Sequence, residues 1–170
     1  DSIGEKPYTD ENDIICWHYD HSQQRTIKGI NFVTCLYHCQ GVSLPIGFEI
    51  VRKTERYLDP KSGSEKRRSS RTKNEMYRDL MAQAVKNQIP FQYALNDIWF
   101  ASAENMNFVK ITLEKEFVMP LKGNRKVATS AEAKQNGRYQ SVDTLELEPM
   151  KPVTVYLEGV EFALLLVKQV

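Results

Sequence analysis

The sequence predicts an α/β chain, with a mixed sheet flanked by helices over residues 1–125 and a small β-rich segment over residues 126–170. Three observations predict it. Val42, Leu44, Ile46, Phe48 and Ile50 alternate without a break after a Gln40-Gly41 pair, the period-two pattern of a strand leaving a tight turn. Thr72 stands three residues ahead of Glu75, in front of a stripe of Met76, Tyr77, Leu80, Met81, Ala84 and Val85, which is a capping box opening an amphipathic helix. From residue 91 to residue 121 the patterns run strand, helix, strand, the order that gives right-handed crossovers and parallel strands.

In chain order, residues 30–39 and 42–50 form an antiparallel hairpin. Cys35 and Cys39 fall on one face of its first strand with Val33 and Tyr37, as buried free thiols. The run 52–73 follows, with nine basic residues against three acidic ones, a local excess that suits a polyanion or a solvated loop. The capped helix ends at residues 87–90. Residues 91–96 read as a short buried strand leading to Asp97, and Ser102 is a helix N-cap for apolar residues at Met106, Val109 and Leu113. Residues 116–121 form another strand before a Lys122-Gly123-Asn124-Arg125 turn. A polar segment over 128–137 then gives way to strands near 139–147, 153–157 and 160–167.

With 170 residues, 41% hydrophobic and 26% charged, the chain is long enough to bury a core and reads as globular and cytoplasmic. The longest apolar run, 162–167, is far too short to cross a bilayer, and a membrane partner is not expected. Both ends look cut, since no strand precedes Asp1 and the chain stops on an apolar strand that would be an unprotected edge.

Asp97 is the chemical question. In open α/β sheets ligands collect beyond the carboxyl ends of parallel strands, and a carboxylate there suits a hard cation such as Mg²⁺. An aspartate at such a corner is equally a turn former. His18 and His21, with Asp20 and Cys16, suggest zinc, but the histidine spacing on a strand puts the rings on opposite faces. Glu49 and Glu104 are weaker candidate acids. Trp17, Trp99 and Phe100 read as core aromatics, with stacking on a DNA base as the alternative.

Four boxes decide between these readings. Asp1-Ser2-Ile3-Gly4-Glu5-Lys6-Pro7-Tyr8, Trp17-His18-Tyr19-Asp20-His21-Ser22 with Lys28-Gly29-Ile30-Asn31, Asp97-Ile98-Trp99-Phe100-Ala101-Ser102, and Leu121-Lys122-Gly123-Asn124-Arg125 together resemble DDE transposases of bacterial insertion sequences. The likeness is closest to the branch with a β-strand insertion. It implies a ribonuclease-H-like fold in which Asp1 ends the first strand and Asp97 the fourth. These two would be catalytic ligands of two Mg²⁺ or Mn²⁺ ions about 3.5–4 Å apart. The implied substrate is double-stranded DNA, at transposon ends and target, cut and joined by a homodimer in the bacterial cytoplasm or nucleoid. Lys122, Asn124 and Arg125 would contact phosphate, as would Lys53, Arg67, Arg68, Arg71 and Lys73 of the basic run.

The third acid departs from the pattern. In this branch it lies in a Tyr-x2-Arg-x3-Glu-x6-Lys signature, and none of the eight tyrosines has an arginine three residues on. The resemblance therefore places that glutamate beyond residue 170, and a piece without it is expected to be inactive alone. Two further readings fit the same residues. One is a truncated or degenerate relative that only binds DNA, and the other is an unrelated α/β metalloenzyme handling a small phosphate.

Overall fold

The structure is a computed structural model that describes residues 2–169. Asp1, the first expected ligand, lies outside the described residues. The chain divides into two compact units, residues 1–90 and 91–170.

In the first unit, β1 (Ser2–Glu5), β2 (Cys16–Asp20), β3 (Arg25–Cys39) and β4 (Val42–Ile50) form one antiparallel sheet with β3 as its spine. Phe32 pairs with both Ser2 and Ile50, so β1 and β4 flank β3 on opposite edges. Gly29 pairs with both Glu5 and Cys16. A Cβ there would stand 2.3 Å from the Gly4 carbonyl oxygen, so the close approach of β1 to β3 requires glycine.

The predicted hairpin is present. Its turn places Gln40 at φ 49° and Gly41 at φ 80°, positive at both central positions as a twisted two-residue hairpin demands. The expectation for the two cysteines is corrected. The register shift between Cys35 and Leu36 leaves Ile46 of β4 as the extra residue, so β3 keeps its alternation and Cys39 is uncovered because it ends the strand. Cys35 is half-buried and Cys39 exposed.

After β4 the chain makes a small hairpin of β5 (Glu55–Leu58) and β6 (Glu65–Arg68), then α1 (Lys73–Lys86). The capping box is complete. Thr72 Oγ1 accepts the Glu75 backbone N–H at 3.2 Å, and Glu75 Oε2 accepts that of Thr72 at 2.6 Å, holding the Glu75 carboxyl below its usual range. The helix packs on β3 and β4 and buries Met76, Tyr77, Met81 and Ala84. Each of the two methionines contributes about 1.5–3 kcal/mol. Ile27, Asn31 and Val33, alternate residues of β3, are buried too.

The second unit begins with β7 (Tyr93–Leu95), which pairs in parallel with β8 (Glu116–Val118). The parallel pair forms as expected, but the expectation of a buried strand is corrected. Only Ala94 of β7 is buried, while Tyr93 and Leu95 are 51% and 74% exposed. Between the strands, α2 (Ala103–Asn107) runs on into a π-helical turn, Phe108–Thr112. Then come β9 (Lys126–Ala128), α3 (Ala131–Gln135), β10 (Gln140–Ser141), β11 (Val153–Leu157) and β12 (Leu164–Leu166), with sheet order β10-β9-β11-β12. Helix α3 lies in the segment expected to be merely polar, and its N-cap Ser130 accepts the Ala133 N–H at 3.0 Å. Ala101, Met106, Val127, Val155, Leu157 and Val160 form one core, so residues on both sides of position 125 share it. Among the described residues no helix is long and apolar enough to cross a membrane.

Candidate functional site

Asp97 is exposed just past the carboxyl end of β7. Its Oδ1 accepts the Trp99 backbone N–H at 2.8 Å, and its carbonyl accepts the Phe100 N–H at 3.2 Å. This is an Asx turn, so the aspartate shapes the corner on which it stands. Phe100 turns into the core at 7% exposure, whereas Trp99 stays outside at 52%. The core reading thus holds for Phe100 and is corrected for Trp99 and for Trp17, also 52% exposed. Ser102 Oγ caps α2 by accepting the Asn105 N–H at 3.1 Å, and the buried Asn105 amide donates to the Phe100 carbonyl at 2.9 Å. The corner is pinned from below.

The Lys122–Arg125 turn is closed by the Arg125 N–H donating to the Lys122 carbonyl at 3.0 Å. Arg125 Nη1 donates to the Ala101 carbonyl at 3.0 Å, which ties the turn to the Asp97 corner. Lys122 Nζ lies 4.1 Å from the centroid of the Trp99 ring, an attractive seat for an ammonium. A shallow pocket of about 150 Å³ is lined by Ile98, Trp99, Ala101, Ser102, Lys122 and Arg125. No carboxylate lines it, so it favours an anion. Asn124 is exposed in the turn. The sequence boxes named Lys122 and Arg125, but the exposure of Trp99 left no mark in the sequence beyond its place two residues after Asp97.

As a metal ligand, Asp97 offers the hard oxygen that Mg²⁺ takes. Among the described residues no group of three or more His, Cys, Asp or Glu side chains converges on a common point. Asp97 is thus the one expected ligand that the described residues contain.

The basic run is matched by carboxylates. Arg67, its side chain only 15% exposed, bonds Glu11 at 3.3 Å and Asp13 at 2.5 Å. Arg68 pairs with Glu55 at 2.8 Å, Arg56 with Glu65 at 3.4 Å, and Arg71 with Asp79 and with Glu49 at 3.7 Å. Lys66 pairs with Asp59 and holds its carboxyl down to about 2. Lys53 donates to the Trp17 carbonyl at 2.5 Å, and burial lowers its pKa. Lys73 is half-buried at the start of α1. Four of the acids, Glu11, Asp13, Glu49 and Asp79, come from outside the run.

Beneath α1, Cys16 Sγ and His18 Nε2 are 3.3 Å apart and both residues are buried. Burial, with Lys53 and Lys73 nearby, lowers the His18 pKa to about 4, and burial raises that of Cys16. His21 packs edge-on against Tyr19 at 4.9 Å, on the face away from His18, as the strand spacing predicts. Glu104 sits in the first turn of α2, where it favours the helix dipole.

A protein-family profile described as DDE superfamily endonuclease matches residues 10–146. The matched stretch contains Asp97, the basic run and the Lys122–Arg125 turn, and it begins after Asp1. No curated protein and no solved structure matches the chain. With the match spanning well over half of its length, the chain belongs to the DDE superfamily endonucleases, the transposase-type nucleases that act on DNA.

Proposed function

We propose that the chain is the catalytic region of a metal-dependent transposase that cuts and joins double-stranded DNA at transposon ends. The observation that carries this reading is the Asp97 corner. An exposed carboxylate ends a parallel strand, beside a pocket with two cationic side chains and no acid, inside a DDE endonuclease match.

Asp97 and Asp1 would hold Mg²⁺ or Mn²⁺. When bound, the ions lower the pKa of the attacking water or 3′-hydroxyl and stabilise the leaving oxygen. Lys122, Arg125 and Asn124 bind a backbone phosphate and so orient the strand. Within the basic run, Arg68, Arg71 and Lys73 are the further phosphate contacts, while Lys53 and Arg67 hold the fold around them. We read the fold as ribonuclease-H-like, with the family match in support.

The test is nicking of supercoiled plasmid, in Mg²⁺ and in Mn²⁺, by the source protein at full length. Metal-dependent cleavage that disappears in Asp97→Asn supports the reading. Salt-sensitive DNA binding without cleavage in either metal would leave a relative that only binds DNA. Turnover of a small phosphate with no DNA binding would replace the reading altogether.

A further inference from the structure

We infer that the outer face of β2 is a second nucleic-acid site, one that stacks unpaired bases of single-stranded DNA. The inference uses residues of the first unit only and needs neither Asp97 nor a metal.

Strand β2 is an edge of its sheet, paired on one side with β3. Its inward residues, Cys16 and His18, are buried, and its outward residues, Trp17 and Tyr19, are 52% and 53% exposed. Two large rings therefore stand on one face of one strand, roughly 6.6 Å apart along it. That spacing leaves room for a base on Trp17 and for a second on Tyr19, whose ring also carries the His21 ring edge-on at 4.9 Å. Among the described residues no cation or ring stacks on Trp17, in contrast to Trp99 beneath Lys122. Across the ladder, Lys28 stands opposite Trp17 and Thr26 opposite Tyr19.

A pocket of about 280 Å³ opens beside Trp17, lined with it by Pro7, Thr26, Ile27 and Lys28 and by Arg25 and Glu5, and Tyr19 lies outside it. Arg25 and Glu5 pair at 2.7 Å, so the pocket keeps one net positive charge, on Lys28. The backbone behind the ring is fixed, because the Trp17 carbonyl accepts the Lys53 ammonium. Rigid aromatic faces beside a cation match single strands, whose bases stack on rings while the phosphates meet the charge. A duplex keeps its bases inside the helix and presents no free face to these rings. A single-stranded end is what a DNA endonuclease generates or holds, which commits the occupant to DNA.

The experiment is binding of a labelled oligothymidylate to the chain in EDTA. Trp17 and Trp99 are the two tryptophans of the chain, so Trp99→Phe leaves Trp17 as the sole emitter. Its fluorescence is quenched on binding if the inference holds. Trp17→Ala and Tyr19→Ala each weaken affinity about 10-fold or more, the worth of one stacked base, and Trp17→Phe stays within about 3-fold because a ring remains. Lys28→Gln lowers the salt slope by about 0.7, one phosphate of a single strand. Three results overturn the inference: full affinity in a folded Trp17→Ala variant, unchanged Trp17 emission at saturation, or a blunt duplex of equal length that binds as tightly with the same quenching.

Discussion

Asp97 Oδ1 accepts the Trp99 backbone N–H at 2.8 Å, and the ring of the same tryptophan seats the Lys122 ammonium at 4.1 Å. One carboxylate thus sets a turn, the turn sets a ring, and the ring sets a cation. The proposed metal ligand and the proposed phosphate contact are mechanically coupled through Trp99. Arg125 adds a second tie through the Ala101 carbonyl.

This coupling separates two variants of Asp97. Asparagine keeps an oxygen that accepts the Trp99 N–H, so Asp97→Asn holds the turn and shifts stability by less than about 0.5 kcal/mol. Alanine removes the acceptor as well, and Asp97→Ala costs about 0.5–2 kcal/mol, as lost caps do. Both lower cleavage by more than about 100-fold, beyond what loss of a ligand's supporting partner causes. Urea melts beside plasmid nicking check the pair. Equal stability losses in the two variants would remove the turn-forming role.

The parts legible in the sequence are those with strong local signals. The Gln40-Gly41 turn, the Thr72/Glu75 box and the Ser102 cap all form as read, because each is decided within a few residues. The strand after the turn forms too, but a bulge at Ile46 splits its alternating residues between two faces. What failed depended on distant partners. The aromatic-aliphatic run 91–96 looks like a buried strand, yet Tyr93 and Leu95 face solvent for half or more of their surface. Arg67 looks free for DNA, but its carboxylates, Glu11 and Asp13, lie more than fifty residues upstream. Trp17 and Trp99 look like core residues, since residue type carries hydrophobicity and not the side of the strand or turn that meets solvent. The bulge falls on β4 at Ile46, next to Pro45, and that proline is its one mark in the sequence.

Trp99 and Lys122 give different salt signatures. Trp99→Ala releases the ammonium but keeps its charge, so DNA affinity falls about 2–5-fold, in line with a half-exposed cation–π contact. The salt slope stays the same. Lys122→Gln removes the charge and lowers the slope by about one. Titrations of duplex DNA across a salt series check this, and a changed slope in Trp99→Ala would break the assignment.

Gly29 is the position where β1 can be displaced with a single methyl group. Its Cβ would meet the Gly4 oxygen at 2.3 Å and the Glu5 Cα at 3.1 Å, both backbone atoms with little room to yield. Gly29→Ala is expected to cost at least about 2–3 kcal/mol as an overpacked site. It should also deprotect the amides of residues 3–5 in hydrogen exchange. Gly47→Ala is a milder control, because its clash at 2.9 Å is with the end of the Leu80 side chain.

Arg67 acts on the fold before it acts on DNA. Its guanidinium is mostly covered and pairs with Glu11 and Asp13, which are themselves 40% and 56% exposed, so removing it loses packing and two charged hydrogen bonds. Arg67→Ala should lower stability by about 1–3 kcal/mol, with little change in the salt slope of DNA binding. Arg68→Ala, whose side chain is 65% exposed, should do the reverse, losing under about 1 kcal/mol as exposed pairs do. Chemical denaturation and salt titration of both variants distinguish the two roles.

His18 makes the first unit acid-sensitive. Its pKa falls from 6.5 to about 4, first through burial and then through Lys53 and Lys73. A folded-state pKa below the unfolded one means that the unfolded chain binds the proton more readily. The stabilisation is complete above about pH 6.5, is lost as the pH falls toward 4, and levels off below that. Its size is at most about 3 kcal/mol, from the shift at 1.36 kcal/mol per unit. His18→Gln cannot take up the proton, so the difference between native and variant stability should shrink by that amount between pH 7 and pH 4. Carboxylates titrating in the same range affect both proteins and cancel in the comparison. A native-minus-variant difference that stays flat across this window would show that His18 is already protonated, or solvated, in the folded chain.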